Sequence, residues 1–174
     1  MLSLVPFEPA HFDTLASWFT NEMETVQWGG SDISFPLDHK QFSAMLEEGR
    51  TDPPTRLCWM GQDGQDLVGH AQLVLDWRNG NARLARVAVA PAMRGQSLAA
   101  PLIALVVDNA FAWPAIERLE LNVFPFNAPA MRTYAKLGFV REGVRRSSAR
   151  VGGERWDTVI MAILREDWRP GESD

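Results

Sequence analysis

Val87-Ala88-Val89-Ala90-Pro91-Ala92-Met93-Arg94-Gly95-Gln96-Ser97-Leu98-Ala99 is the stretch around which the rest of the chain organises. Its first residues read as a strand. After Pro91 the pattern changes, and Leu98, Leu102, Leu105 and Val106 recur at the three- and four-residue steps of a helix. A strand that feeds a Gly-bearing turn and then a helix leaves backbone N–H groups unpaired at the positive end of the helix dipole, where a phosphate is stabilised. Arg94 adds charge, Gly95 lets the backbone approach a ligand closely, and Ser97 can cap the helix or donate its hydroxyl. Tight turns need glycine in any case, so this stretch alone does not establish a ligand. Pro101 would kink a helix interior but costs little near its start, which predicts a beginning around Gln96 or Ser97.

On the N-terminal side, Asp66 to Asp76 and Ala82 to Ala90 read as strands joined by Arg78-Asn79-Gly80-Asn81, whose Asn-Gly is a strong hairpin signal. Arg56 to Met60 is the strand before them. Leu2 to Phe7 reads as a strand, Phe12 to Phe19 as a helix, and Phe42, Met45 and Leu46 mark a second helix. Between these helices, Asn21 to Leu37 reads as a long irregular loop broken by Trp28-Gly29-Gly30 and Pro36. On the C-terminal side follow a strand (Arg118 to Phe124), a short helix (Ala128 to Leu137) and two strands (Phe139 to Val151 and Arg155 to Leu164) around Gly152-Gly153. The order β-α-α-β-β-β-α-β-α-β-β predicts a mixed α/β (α+β) fold of about seven strands and four helices.

The 174 residues suit one domain, expected over 1–168 with a short tail at 169–174. The longest uncharged apolar run, Leu98 to Val107, contains Pro101 and falls well short of the roughly 20 residues that span a bilayer. The start lacks the basic and apolar regions of a secretion signal, so no membrane association and a cytoplasmic location are expected. Cys58 is the only cysteine and sits in an apolar stretch, which reads as a buried small side chain. No His, Cys and carboxylate cluster has metal-ligand spacing, so no metal is expected. A net charge of −5 argues against a nucleic-acid binder and suits a cationic substrate.

A second informative stretch runs from Asn122 to Phe139. Asn127 is a natural N-cap, Pro129 suits an early helical position, and Gly138 suits a C-terminal stop. Tyr134, the only tyrosine, lies nearly two turns past Asn127 on the same helix face.

Together these stretches resemble the signature of the Gcn-related N-acetyltransferase (GNAT) superfamily, and Asn127 through Phe139 resembles its Asn-x-x-Ala-x-x-x-Tyr-x-x-x-Gly-Phe segment. The order of elements agrees from Leu2 to about Leu164. The N-terminal region looks most like the branch with ribosomal-protein alanine and aminoglycoside 6′-N-acetyltransferases. The resemblance implies a mostly antiparallel central sheet and acetyl-CoA as co-substrate. It implies that the backbone of Val87 and Val89 pairs with the pantetheine arm, and that the amides of Arg94, Gly95, Gln96, Ser97, Leu98 and Ala99 hold the pyrophosphate. It further implies that Asn127 contacts the pantetheine or ribose-phosphate part and that Tyr134 stands beside the sulfur as proton donor. One departure is that the family pattern Arg/Gln-x-x-Gly-x-Gly/Ala has glycine where this chain has Ser97.

The acceptor implied is a primary amine, on a small molecule or a peptide N-terminus, with room for a homodimer. A non-catalytic CoA-binding module of the same fold is the alternative. For the base, Asn122 occupies a position where some relatives carry glutamate, which leaves water or Glu120, two residues earlier on the same face. Asp76 is a further candidate carboxylate, Glu24 a candidate for recognising a cationic substrate, and Trp28 a candidate wall of the acceptor pocket. His70 reads as a hydrogen-bonded structural residue.

Overall fold

Seven strands pair into one sheet: β1 (Leu2–Pro6), β2 (Arg56–Asp63), β3 (Asp66–Asp76), β4 (Asn81–Val89), β5 (Arg118–Val123), β6 (Val140–Val151) and β7 (Glu154–Leu164), in the order β1-β2-β3-β4-β5-β7-β6. The computed structural model describes residues 1–171, so residues 172–174 of the expected tail lie outside the described residues. Each neighbouring pair is antiparallel except β4 and β5, which run parallel. The Asn-Gly turn joins β3 to β4 as its chemistry predicts, with Gly80 at a φ of 66°.

Among the described residues five α-helices accompany the sheet: α1 (Phe12–Ala16), α2 (Glu22–Gly29), α3 (His39–Glu47), α4 (Ala99–Phe111) and α5 (Ala128–Lys136). Helix α2 corrects the expectation of an irregular loop from Asn21 to Leu37. Asn21 caps it by accepting from the Glu24 amide at 2.9 Å, and it buries Thr25, Val26 and Trp28. Two turns carry too few apolar residues to show a periodicity in sequence. Helix α4 begins at Ala99, later than predicted, because Gly95 and Ser97 have φ values of 80° and 59° that no right-handed helix contains. Pro101 is then its third residue, where a backbone donor has no partner to lose.

The helices divide between the two faces. Val106, Val107 and Ala110 of α4, Tyr134 of α5 and Leu137 just past its end pack on Ala71, Leu73, Leu84, Leu121 and Val159. On the other face Phe12 and Leu15, Trp28, and Phe42 and Met45 bring α1, α2 and α3 together over Met60.

The β4–β5 ladder is short. It runs from Asn81↔Arg118 to Leu84↔Leu121. Beyond that point β4 stays on β3 through Ala88↔His70 and Val89↔Gly69, while β5 stays on β7 through Asn122↔Ile160 and Val123↔Val159. The sheet therefore opens between Ala85–Val89 and Asn122–Val123. A bulge accompanies the opening, with Arg86 at a φ of 52° and the β3–β4 register shifting between His70 and Gln72.

Gly61 and Gly69 face each other across β2 and β3 and seat Leu102 of α4. A Cβ on Gly69 would lie 2.6 Å from Leu102 Cδ2 and 2.9 Å from the Ala88 carbonyl oxygen, which no rotamer change relieves. We expect Gly69→Ala to lower stability by about 1–3 kcal/mol through this overpacking. Urea unfolding checks it; an unchanged midpoint would mean that α4 does not sit this close to the sheet.

Candidate active site

The turn between β4 and α4 is built to present amides. Pro91–Met93 forms one 3₁₀ turn, Arg94 is extended, and the first bond inside α4 runs from the Leu102 amide to the Leu98 carbonyl at 3.1 Å. The amides of Gly95, Gln96, Ser97, Leu98, Ala99 and Ala100 find no acceptor among the described residues. Such a row of donors at a helix start matches a diphosphate in charge and geometry. Ser97 does not cap the helix, since Leu98 holds the N-cap position without a side-chain bond. Its left-handed backbone is the conformation that glycine adopts without cost.

The opening in the sheet lies beside this turn. The Ala90 amide donates to the Val68 carbonyl at 2.9 Å. By the alternation of an antiparallel ladder, the backbone groups of Val89 and Val87 then point away from β3, into the opening. An extended amide-bearing chain can pair with them as a strand would. Asn127 caps α5 by accepting from the Ala130 amide at 3.3 Å, and its side-chain NH₂ has no acceptor among the described residues.

Tyr134 is 8% exposed, and its ring packs edge-on against Phe139 at 5.8 Å. Burial pushes its phenol up to about 12, so it holds its proton throughout the neutral range. Desolvation is the one cause of that shift and no hydrogen bond to a described residue contributes, which leaves the proton free for a ligand.

On the opposite face is a cavity of about 350 Å³. Leu84 and Ala85 of β4 and Asn122 and Val123 of β5 line it where the strands part, so it adjoins the opening. Trp28 forms one wall, its indole N–H donating to the Arg86 carbonyl at 2.7 Å. Phe124, braced edge-on by Trp156 at 4.9 Å, forms another.

The structure places the expected carboxylates elsewhere. Glu24 accepts from the Thr20 amide at 2.8 Å and hydroxyl at 3.0 Å, bonds that hold its carboxyl below the usual range and tie down the start of α2. Asp76 sits at the exposed β3–β4 corner, held low by its bond to the Asn79 side chain at 2.6 Å. Glu120 is bonded at 3.1 Å to Arg118, which also binds Glu142 at 2.7 Å. None of the three lines the cavity. The side chains that do, and that sequence reasoning missed, are Arg56, Arg83, Arg86 and Arg145. The available signal was two arginines, Arg83 and Arg86, within the otherwise apolar strand Ala82 to Ala90.

His70 is fully buried, and burial drives its pKa down to about 3. The neutral ring accepts at Nε2 from Gln72 at 3.0 Å. Cys58 is half-buried, and burial raises its thiol to about 12, so it carries no thiolate at neutral pH. Among the described residues no helix is long and apolar enough to cross a membrane.

The family profile described as acetyltransferase (GNAT) family matches residues 13–139. The chain is 29% identical over 135 residues to the L-amino acid N-acetyltransferase AaaT of Escherichia coli (strain K12), covering 76% of this chain and 80% of that protein. It is 30% identical over 167 residues to the SPbeta prophage-derived uncharacterized N-acetyltransferase YokL of Bacillus subtilis (strain 168), covering 95% and 89%. Its fold is similar to that of the spermidine N-acetyltransferase from Vibrio cholerae solved with CoA and spermine, with a TM-score of 0.82 and 21% identity over 95% of this chain and 96% of that one. The amide-lined turn, the parted strands and the matched residues lead to one conclusion: the chain belongs to the acetyltransferase (GNAT) family, as an acetyl-CoA-dependent N-acyltransferase.

Proposed function

We propose that this chain transfers the acetyl group of acetyl-CoA to a primary amine, on a small molecule or a peptide N-terminus, with residues 1–168 as one catalytic domain in a cytoplasmic setting. The observation that carries this reading is the opening between β4 and β5, with the amide row and Tyr134 on one face and the cavity on the other. The relatives name different acceptors, an L-amino acid in one and spermidine in another, so no acceptor is carried over from them.

Acetyl-CoA supplies the thioester, whose C–S bond breaks as the amine forms the new N–C bond. The amides of Gly95 to Ala99, with Arg94, hold the diphosphate, and Val87 and Val89 align the pantetheine through their backbone groups. A backbone N–H near Val87 stabilises the carbonyl oxygen as charge grows on it. Tyr134 gives its proton to the leaving sulfur. Asn122, an amide, cannot take the ammonium proton. Cavity water takes it, with Glu120 able to act only through such water while Arg118 holds it. Thiol release on mixing acetyl-CoA with a panel of amines tests the reading as a whole. Binding without thiol release from any amine would leave a CoA-binding module instead.

Acetyl-CoA is expected to bind with micromolar-range affinity, and Ser97→Gly to keep or improve it. The change also relieves a left-handed residue, worth about 1 kcal/mol of stability. Calorimetry and thermal melts check both expectations, and loss of binding in Ser97→Gly would make the serine hydroxyl a ligand.

Tyr134→Phe should leave fold and cofactor affinity nearly unchanged and lower kcat by roughly 10²-fold. As the only tyrosine, Tyr134 can be titrated directly by near-ultraviolet absorbance, with an expected midpoint of about 12. The native state binds this proton more tightly than the unfolded chain does. Its contribution to stability is therefore complete below the ordinary phenol value of about 10 and is lost as pH rises from there towards the folded value, at about 1.4 kcal/mol per unit. A midpoint near 10 would mean a solvated phenol.

A further inference from the structure

The cavity on the acceptor face has a charge opposite to that of the whole chain. Net charge is −5, yet Arg56, Arg83, Arg86 and Arg145 line this space against one carboxylate, Asp32. Two of these guanidinium groups are built into the fold. Arg56 is 9% exposed; its Nη1 donates to Gln72 Oε1 at 2.8 Å and its Nε to Glu48 at 3.0 Å. Arg86 Nη1 donates to the same Gln72 oxygen at 3.3 Å, and its Nε to the Gly29 carbonyl at 3.4 Å. Gln72 is fixed in turn, because its NH₂ donates to His70 Nε2 at 3.0 Å and to Met45 Sδ at 3.2 Å.

One amide oxygen therefore holds two guanidinium groups side by side. Like charges this close repel, and the repulsion is little screened away from water. Burial and the Arg56 charge together lower the Arg86 pKa to about 10. Glu48 offsets Arg56, but among the described residues no carboxylate lies within ion-pair distance of Arg83, Arg86 or Arg145. Glu120, opposite Arg83 in the register, is drawn to Arg118 instead. The excess positive charge, only partly offset by Asp32, faces a space of small-ligand size at the point where the strands part.

We propose that the acceptor is a small amine that carries a carboxylate, an amino acid rather than a polyamine, with the carboxylate held by Arg86 and Arg56 and attracted by Arg83 and Arg145. The assignment rests on the acetyltransferase reading. Planar guanidinium forks match a carboxylate in charge and shape, so the anion sets the position of the amine relative to the opening. A polyamine would instead bring further cations against the arginines.

The test compares kcat/KM for amino acids, their α-amides, the matching decarboxylated amines and spermidine, with binding followed in parallel by thermal shift in the presence of CoA. The carboxylated acceptor should exceed its decarboxylated match by about 10- to 100-fold, the range of a charge-assisted contact. Arg86→Gln should reduce that ratio towards one. Because Arg86 also ties α2 to the sheet, Arg145→Gln provides a second variant; that side chain is exposed and bonds to no described residue, and the ratio should fall several-fold with an unchanged melt. Equal or faster turnover of decarboxylated amines or spermidine would overturn the assignment and leave the acetyltransferase reading standing. Binding of carboxylated amines without thiol release would keep the anion subsite and overturn that reading.

Discussion

The parallel ladder between β4 and β5 ends at Leu84 and Leu121, and the proposed chemistry depends on that ending. A buried strand edge with unpaired N–H and C=O groups is costly, so a sheet parts in its middle only where something else serves those groups. Here the parting leaves the backbone of Val87 and Val89 facing an opening where β5 no longer pairs with β4. The bulge at Arg86 turns β4 away, and the bond from the Trp28 indole to the Arg86 carbonyl ties that bend to α2 on the acceptor face.

Two helices then make the opening chemical. Leu102 seats α4 over Gly61 and Gly69, which sets its amide-rich start beside the end of β4. Tyr134 on α5 loses nearly all contact with water, and desolvation alone raises its phenol. A phenol in that state is a proton reservoir rather than a nucleophile. The same low-dielectric packing that anchors α5 thus decides the protonation state of the group proposed to act.

The named relatives show how one scaffold serves different substrates, an L-amino acid in one and spermidine in another. The backbone follows that of a spermidine N-acetyltransferase closely, with 21% of the sequence identical. In the proposed mechanism the fold carries the donor half of the chemistry through backbone amides, which hardly depend on sequence. The acceptor half depends on side chains, and those diverge freely.

Much of this was legible in the chain itself. The Asn-Gly hairpin, the Gly-bearing turn after Val89, the Asn127 cap and Tyr134 two turns later are local features, written in neighbouring residues, and the family resemblance rests on them. The late start of α4 was not, because the left-handed conformation of Ser97 has no signature in a serine. Helix α2 was hidden because two turns give too little periodicity. The cavity was beyond reach for a different reason. Arg56, Arg86 and Arg145 come from three strands, and Gln72, which binds two of them, comes from a fourth. Net charge suggested a cationic substrate because it averages over the surface, whereas the charge a ligand meets is set by which few side chains the sheet register and one bulge bring together, and only the tertiary structure decides that.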